Sequence, residues 1–308
     1  MFGAEGQLSC TGAYAMSVRA SVIVPTYGDW TDAARCLRAL VAQDLDPARF
    51  EILLVDNNPE SAPPPDLPDA PNLRVLHEPK PGSYAARNAG IRTARGRFLF
   101  FTDADCRPAP QWLSRGLALL SAEDGTRRVA GAIAVAPQSG RWTGWSVYDR
   151  TFNLRQDRHA RRGAALTANL AVDRRLFDEI GPFDDTRFSG EDMAWNRRAT
   201  AAGAPLRYDA AMRVDHPARE SFAACAGKVR RIAGARYAAK AGRPVARRLP
   251  RLKYLVPLPG DLREIWRHPD PAPVGAKLAA MGCAYALGWV YNAEILRLGL
   301  TGGRPRRS

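Results

Sequence analysis

A chain of 308 residues, 46% hydrophobic and 25% charged, is of ordinary globular composition and long enough for one large domain or a domain with an appendage. Its five cysteines, Cys10, Cys36, Cys106, Cys225 and Cys283, are scattered and contain no CxxC, which argues against a disulfide framework or a zinc site and fits a reducing compartment. The net charge of +14 calls for an anionic partner such as nucleic acid, phospholipid or a phosphorylated substrate, but residues 228–267 alone carry +10 of it.

Residues 1–15 show neither helical nor strand period, and no basic segment leads into an apolar run of signal-peptide length. They read as a flexible extension, or as sequence ahead of a true start at Met16. Residues 20–24 form a short apolar strand closed by Pro25 and Thr26. After a turn at Gly28 and Asp29, Ala33, Cys36, Leu37, Leu40 and Val41 lie on one stripe of a helix, with Thr31 as its cap. Residues 50–55 are a second buried strand ending at Asp56. Strand, helix and strand at this spacing predict a right-handed crossover and a parallel sheet. Ligands bind such sheets beyond the carboxyl ends of the strands, where Thr26, Asp56 and Asp103 fall. Six prolines between positions 59 and 71 predict an extended surface loop, followed by a strand at 73–76. Gly82 with a Ser83 cap opens a helix that stops at Gly96. Its N-terminus suits an anion, and a plain capped helix fits the stretch as well.

Residues 98–101 are four consecutive apolar residues running directly into Asp103 and Asp105, the pattern of a strand covered on both faces whose end opens at a cleft. The two carboxylates offer hard oxygen ligands to Mg²⁺ or Mn²⁺. Alone, the triplet is a weak signal and reads rather as an acidic turn capping the helix that starts near Pro110. That helix carries Trp112, Leu113, Gly116, Leu117 and Leu120 on its inner stripe, and residues 129–135 form a further strand. Residues 140–163, rich in Arg, Trp and Tyr, suit a polar ligand surface or a loop with satellite packing. Residues 166–172 lead to a short helix capped by Asp173 and stopped by Gly181. Ser189, Gly190, Glu191 and Asp192 open another helix, ending near Gly203; two acids in a first turn are common partners of the helix dipole. A strand at 206–209 and the stretch 214–217, with His216, end the α/β region.

From residue 222 the chain turns to Ala, Arg and Lys at helical spacing, broken by Pro244, Pro250, Pro257 and Pro259. Residues 278–293 are sixteen uncharged residues, short of a spanning helix and suited to a buried or interfacial one. A basic run ahead of such a helix is what attachment to an anionic membrane face requires.

These pieces together resemble the family 2 glycosyltransferases, inverting enzymes of the GT-A fold that use nucleotide-sugar donors. The resemblance rests on residues 22–27, 52–57, 86–90 and 98–106 with Pro108 and Trp112, then Asn169, Gly181, Phe183 and Asp184, residues 190–192 and His216, all in family order. It implies an α/β fold with a mostly parallel central sheet flanked by helices over residues 16–221, followed here by a basic helical C-terminal region at 222–308. It implies that Asp56 recognises the nucleotide base beside Pro25, Thr26 and Tyr27, with Arg87 near base and phosphates and Asn169 on the donor side. Asp103 becomes the ribose or donor-sugar contact, Asp105 and His216 the ligands of Mn²⁺ or Mg²⁺, and Asp192 the catalytic base, with Glu191 orienting the acceptor or the helix terminus. The chain departs from the pattern at Asn57, Asn58 and Pro59, where many members have Gly or Asn and then Ser.

The implied partners are a nucleotide-sugar donor and a hydroxyl acceptor on a glycan, a lipid-linked molecule or another compound, in cell-envelope glycan synthesis. The scattered cysteines and the basic C-terminal run predict a cytoplasmic location, either free or peripheral at the inner face of the cell membrane. A sugar-phosphate nucleotidyltransferase is the enzyme alternative, but it would carry a Gly-rich loop with Arg where Pro25, Thr26 and Tyr27 stand. No GxGxxG follows the first strand, against a dinucleotide oxidoreductase. A basic nucleic-acid-binding protein is disfavoured because the charge lies outside the α/β region, without an RNP, zinc-finger or helix-turn-helix pattern.

Overall fold

The computed structural model describes residues 18–61, 63–64, 66–187, 189–240, 259–267 and 272–301. The expected extension at 1–15, Cys10, Pro244, Pro250 and Pro257 lie outside the described residues. The first third of the chain builds a parallel half-sheet from β1 (Ala20–Thr26), α1 (Trp30–Val41), β2 (Phe50–Asp56), β3 (Leu73–His77), α2 (Ser83–Thr93) and β4 (Phe98–Thr102). Every residue of β2 and β4 is buried, as their unbroken apolar runs require of strands covered on both faces. β1 lies between β2 and β4, parallel to both, and its register sets Thr26 beside Asp56.

The chain continues through β5 (Arg107–Pro108), α3 (Trp112–Leu120), β6 (Arg128–Ala136), α4 (Gly144–Phe152), α5 (Gln156–Ala160), β7 (Asn169–Asp173), α6 (Arg175–Ile180), α7 (Glu191–Ala201) and β8 (Leu206–Pro217). Among the described residues, eight strands form one sheet in the order β3-β2-β1-β4-β7-β6-β8-β5. Four of its seven pairings are parallel; β7 is reversed against both β4 and β6, and β5 against β8.

Alternation along β4 divides the core. Phe98 and Phe100 pack with Leu37, Leu40, Trp112 and Leu113 on one face, and Leu99 and Phe101 with Tyr84, Phe177, Phe183 and Trp195 on the other. Phe177 stacks on Trp195 with ring centroids 4.4 Å apart, and the Trp195 indole donates to Gly181 O at 2.9 Å, which seats α7 on the sheet.

Several local expectations change. Asp29, not Thr31, caps α1, accepting from Asp32 N at 3.0 Å, because Thr31 is already helical. Gly82 occupies the N-cap of α2 and Ser83 is its first residue, without a capping bond; the helix stops at Thr93 instead of Gly96. Residues 206–209 and 214–217 belong to a single strand, β8, which follows β6 along its length with a register shift at Gly131/Ala132. The stretch 140–163 holds two helices, α4 opened by a capping box between Thr143 and Ser146.

C-terminal helices α8 (Phe222–Ala238), α9 (Pro259–Trp266) and α10 (Val274–Thr301) complete the described chain. Val147 of α4 packs with Ile265 and Ala280, and Trp145 with Cys225 and Leu287. Ala233 of α8 packs with Tyr291 and Ile295 of α10. Among the described residues no helix is long and apolar enough to cross a membrane.

Candidate active site

The ends of β1 and β2 form one wall. Thr26 is buried at the strand end, Pro25 is half-buried before it, and Tyr27 stands exposed just beyond. Asp56 is fully buried and strongly held on one side only: Asn58 donates to its Oδ1 through the backbone N (2.9 Å) and the side-chain amide (2.6 Å). Its Oδ2 is buried with no partner, an acceptor awaiting a donor. The two asparagines at which the sequence departs from the family pattern build this geometry. Asn58 also accepts from Gly28 N at 3.0 Å, tying the loop after β1 to the one after β2. Asn57 donates to Glu78 O (2.7 Å) and Lys80 O (2.8 Å) and accepts from Gly82 N at 2.8 Å, which anchors the start of α2 beside Asp56.

Beyond β4, Asp103 and Asp105 are half-buried, and neither caps α3, whose start has no side-chain cap. The buried guanidinium of Arg87 reaches from α2 to Asp103 Oδ1 at 2.5 Å. Its Nε is buried without a partner. Asp105 Oδ2 lies 3.2 Å from Nε2 of His216, near the end of β8. The Pro217 carbonyl can only accept, so His216 Nδ1 is the donor in their 2.7 Å contact, which fixes the ring and turns Nε2 towards Asp105. Burial disfavours the imidazolium, but Asp105 outweighs it and holds His216 above its ordinary range. Burial likewise opposes the Asp105 carboxylate, which His216 and then Arg219 hold below the usual range.

Asp105, Cys106 and His216 bring one ligand atom each within 4.8 Å of one another. Burial, then Asp105 and Asp103, push the Cys106 thiol well up, and its Sγ donates to Ala168 O at 3.8 Å. A hard divalent ion therefore fits Asp105 and His216, with Cys106 remaining a packed thiol.

The third wall is the start of α7. Tyr84 Oη accepts from the backbone N–H groups of Glu191 (3.1 Å) and Asp192 (3.3 Å) and donates to Asp192 Oδ1 at 3.1 Å. Met193 N adds a bond to Oδ1 at 2.8 Å, and Thr167 N a longer one to Oδ2 at 3.4 Å. Burial raises the Asp192 carboxyl above the ordinary range, against the pull of Met193 N–H, Arg87 and Tyr84. Glu191, the adjacent acid, is turned elsewhere: its carboxylate accepts from Asp184 N (3.2 Å) and Arg198 Nη1 (2.9 Å) and lies 3.4 Å from Arg187. It holds the helix start in place and is neutralised by two cations.

Asn169 requires a correction. Expected on the donor side, it is fully buried, accepts from the Trp112 indole at 2.8 Å and donates to Ala132 O and Met212 O, both at 2.8 Å. Its amide fills the opening where β6 and β8 shift register, so its polar atoms are committed within the core. Gly131 leaves room for it: a Cβ there would come within 2.0 Å of Met212 O and 2.4 Å of Asn169 Nδ2. Tyr84, Asn57 and Asn58 are the residues that sequence reasoning missed. Asn58 carried a faint signal, a polar residue two past a strand-end acid.

The family model for Glycosyl transferase family 2 matches residues 21–181. Glycosyltransferase AglE of Haloferax volcanii is 35% identical over 205 residues, covering 65% of this chain and 67% of that protein. The pre-mycofactocin glycosyltransferase of Mycobacterium tuberculosis is 29% identical over 156 residues, 48% of this chain and only 33% of its own length. Among solved structures, the mannosyltransferase PcManGT from Pyrobaculum calidifontis, in complex with GDP-Man and Mn²⁺, superposes with a TM-score of 0.52 at 19% identity, covering 92% of this chain and 76% of its own. GalNAc-T7, with UDP, GalNAc and Mn²⁺, gives a TM-score of 0.50 at 20% identity over 66% of this chain and 44% of its own. The fold is therefore GT-A, and the chain belongs to glycosyltransferase family 2.

Proposed function

We propose that the protein transfers a sugar from a nucleoside-diphosphate sugar to an acceptor hydroxyl with inversion, using Asp192 as general base. The observation that carries this reading is the Asp192 carboxylate, buried, raised above the usual range and held in one orientation by Tyr84, Met193 N and Thr167 N. A single displacement needs one base to take the proton of the attacking hydroxyl. In a double displacement a carboxylate would itself attack the anomeric carbon, a role to which the neighbouring acid Glu191 is unsuited, being paired with Arg198 and Arg187.

The remaining residues fit the donor. The unpartnered Oδ2 of Asp56 suits an N–H on the nucleotide base, next to Pro25, Thr26 and Tyr27. Asp103, oriented by Arg87, suits the ribose or donor-sugar hydroxyls. The two solved neighbours hold UDP and GDP-Man with Mn²⁺. Asp105 and His216 would hold such a divalent ion here. Bound, it neutralises charge growing on the departing diphosphate.

A second observation bears on the setting of the acceptor. The exposed face of α10 carries Leu278, Tyr285, Trp289, Leu296 and Leu300, and no charged residue interrupts positions 278–293. With the positive surplus of the C-terminal region, this fits peripheral attachment to an anionic, inner membrane face and a lipid-linked or envelope-glycan acceptor.

The test is a panel of UDP- and GDP-sugars with Mn²⁺, scored for slow donor hydrolysis and for thermal stabilisation by the matching nucleotide. One nucleotide is expected to raise the melting temperature, and Asp105→Ala is expected to abolish its metal-dependent part. Stabilisation by neither nucleotide, or full transfer in EDTA, overturns the donor or the metal assignment respectively.

A further inference from the structure

The family match ends at residue 181, yet Arg219 and Arg231, from beyond β8, act electrostatically on Asp105 of the same cleft. Arg219 follows β8, while Lys228 and Arg231 lie three residues apart, on one side of α8. Among the described residues, the carboxylate in direct contact with the first two is Asp149 of α4. It already accepts from Arg219 N (3.0 Å), Arg219 Nη1 (3.3 Å) and Asn153 Nδ2 (2.8 Å), and the Lys228 ammonium stands 3.9 Å away without a hydrogen bond. The Lys228 side chain is only 11% exposed. Arg231 is half-buried and, among the described residues, has no hydrogen bond or ion pair; its Nε is buried and unpartnered. Arg231 lies within electrostatic reach of Asp103, Asp105 and Tyr84, and Lys228 within reach of Asp105.

This is a costly arrangement for a helix that merely packs. Burial, and then Arg219, push Lys228 down to about 7, the mark of a cation without an adequate counter-ion. Four cations, Arg87, Arg219, Lys228 and Arg231, are grouped with four carboxylates, Asp103, Asp105, Asp149 and Asp192, yet Lys228 and Arg231 make no hydrogen bond to any of them. A divalent ion at Asp105 and His216 would tip this cluster to a positive surplus. An anion bearing several oxygens completes such a cluster, and phosphate is the chemistry that planar guanidinium forks recognise.

We propose that Arg219, Lys228 and Arg231 form a phosphate site that the C-terminal helices contribute to the active site, taking either the diphosphate of the donor or a phosphate carried by the acceptor. The proposal rests on the transferase reading. In that reaction the acceptor proton passes to Asp192 as the new bond forms at the anomeric carbon. The electron pair of the broken bond leaves on the β-phosphate oxygen, where this site would hold the charge.

The experiment is titration calorimetry of the full chain, with Mn²⁺, against UDP, UMP, GDP, GMP and pyrophosphate. It is run for wild type, Lys228→Met, Arg231→Gln and the conservative Arg231→Lys, each checked for an unchanged melting temperature without ligand. If the site holds the donor diphosphate, Arg231→Gln and Lys228→Met weaken the preferred nucleoside diphosphate at least tenfold and leave its monophosphate unchanged, with partial recovery in Arg231→Lys. If it holds the acceptor, nucleotide affinities stay put and KM rises at least tenfold for a phosphate-bearing acceptor but not for a neutral one. Folded variants that change neither quantity overturn the proposal. Should wild type bind no nucleotide, the transferase reading falls on its own. Pyrophosphate then decides the site: binding lost in Arg231→Gln supports it, and no binding by wild type refutes it.

Discussion

Adjacent residues at the start of a helix point about 100° apart, and in α7 that rotation separates two acids into two tasks. Glu191 faces Arg198 and Arg187, while Asp192 faces the Tyr84 hydroxyl and the cleft. General base catalysis contributes about 10² to 10⁴-fold, so Asp192→Asn is expected to lower kcat at least 100-fold with donor affinity nearly unchanged. Glu191→Gln is expected to lower the melting temperature and to lower kcat less; the reverse ranking in transfer assays would refute the assignment. The pH profile carries an independent signature. Because the Asp192 carboxyl is raised, it is protonated over a wider acid range, and kcat falls as pH drops through a value above the usual aspartate range of about 4. Tyr84 stabilises the carboxylate, so Tyr84→Phe is expected to move that acid limb to higher pH, and a profile that does not move counts against the contact. Asp56, Asp103, Asp105, Asp192 and His216 were singled out through the family resemblance, because acids at strand ends and in a first helical turn have ordinary capping and dipole roles as well. Tyr84 was not, since a tyrosine among alanines in a capped helix reads as packing until its hydroxyl is seen bonded to another helix 107 residues away.

Elements in the second half of the sheet are held by buried polar side chains whose periodicity carries no trace of that duty. Asn169 joins β7 to β6, β8 and α3, and Asn169→Ala leaves the Trp112 indole and two carbonyls without their partner. Each such loss costs about 1–3 kcal/mol, so denaturant unfolding should show a loss of roughly 3 kcal/mol or more. Nucleotide affinity is expected to survive in the folded fraction. A stable variant with weakened donor binding would restore Asn169 to the donor side. Arg128 plays a similar part for α7, donating to Asn196, Thr200 and Ala204 O from a fully buried position with burial lowering it to about 10. The parallel half-sheet was readable because β1, β2 and β4 are apolar runs ending at polar residues. The helices in 140–163 were not, because α4 presents Val147 and Tyr148 to α9 and α10 instead of to the sheet, so its stripe had no visible partner.

At the scale of the whole molecule, the charge surplus of residues 228–267 and helix α10 are neighbours in the sequence, and one face of α10 is exposed and apolar. Each cation near an anionic bilayer contributes roughly 1 kcal/mol, so sedimentation with anionic vesicles is expected to capture the protein at low salt and release it at high salt. Trp289→Ser with Leu296→Ser is expected to reduce capture without changing nucleotide binding; equal capture by neutral vesicles, or none by anionic ones, would rule the surface out. The division at residue 221 read from sequence is a change in composition and not a gap in packing, since α8, α9 and α10 rest on α4. The seam is close at Gly144, where a Cβ would stand 2.8 Å from the Ala279 side chain and 2.9 Å from its backbone. Recombination between relatives therefore cannot exchange the C-terminal tail alone. A foreign tail meets a seam cut to fit Ala279 and Ala280, so a working chimera would inherit α4 together with α10.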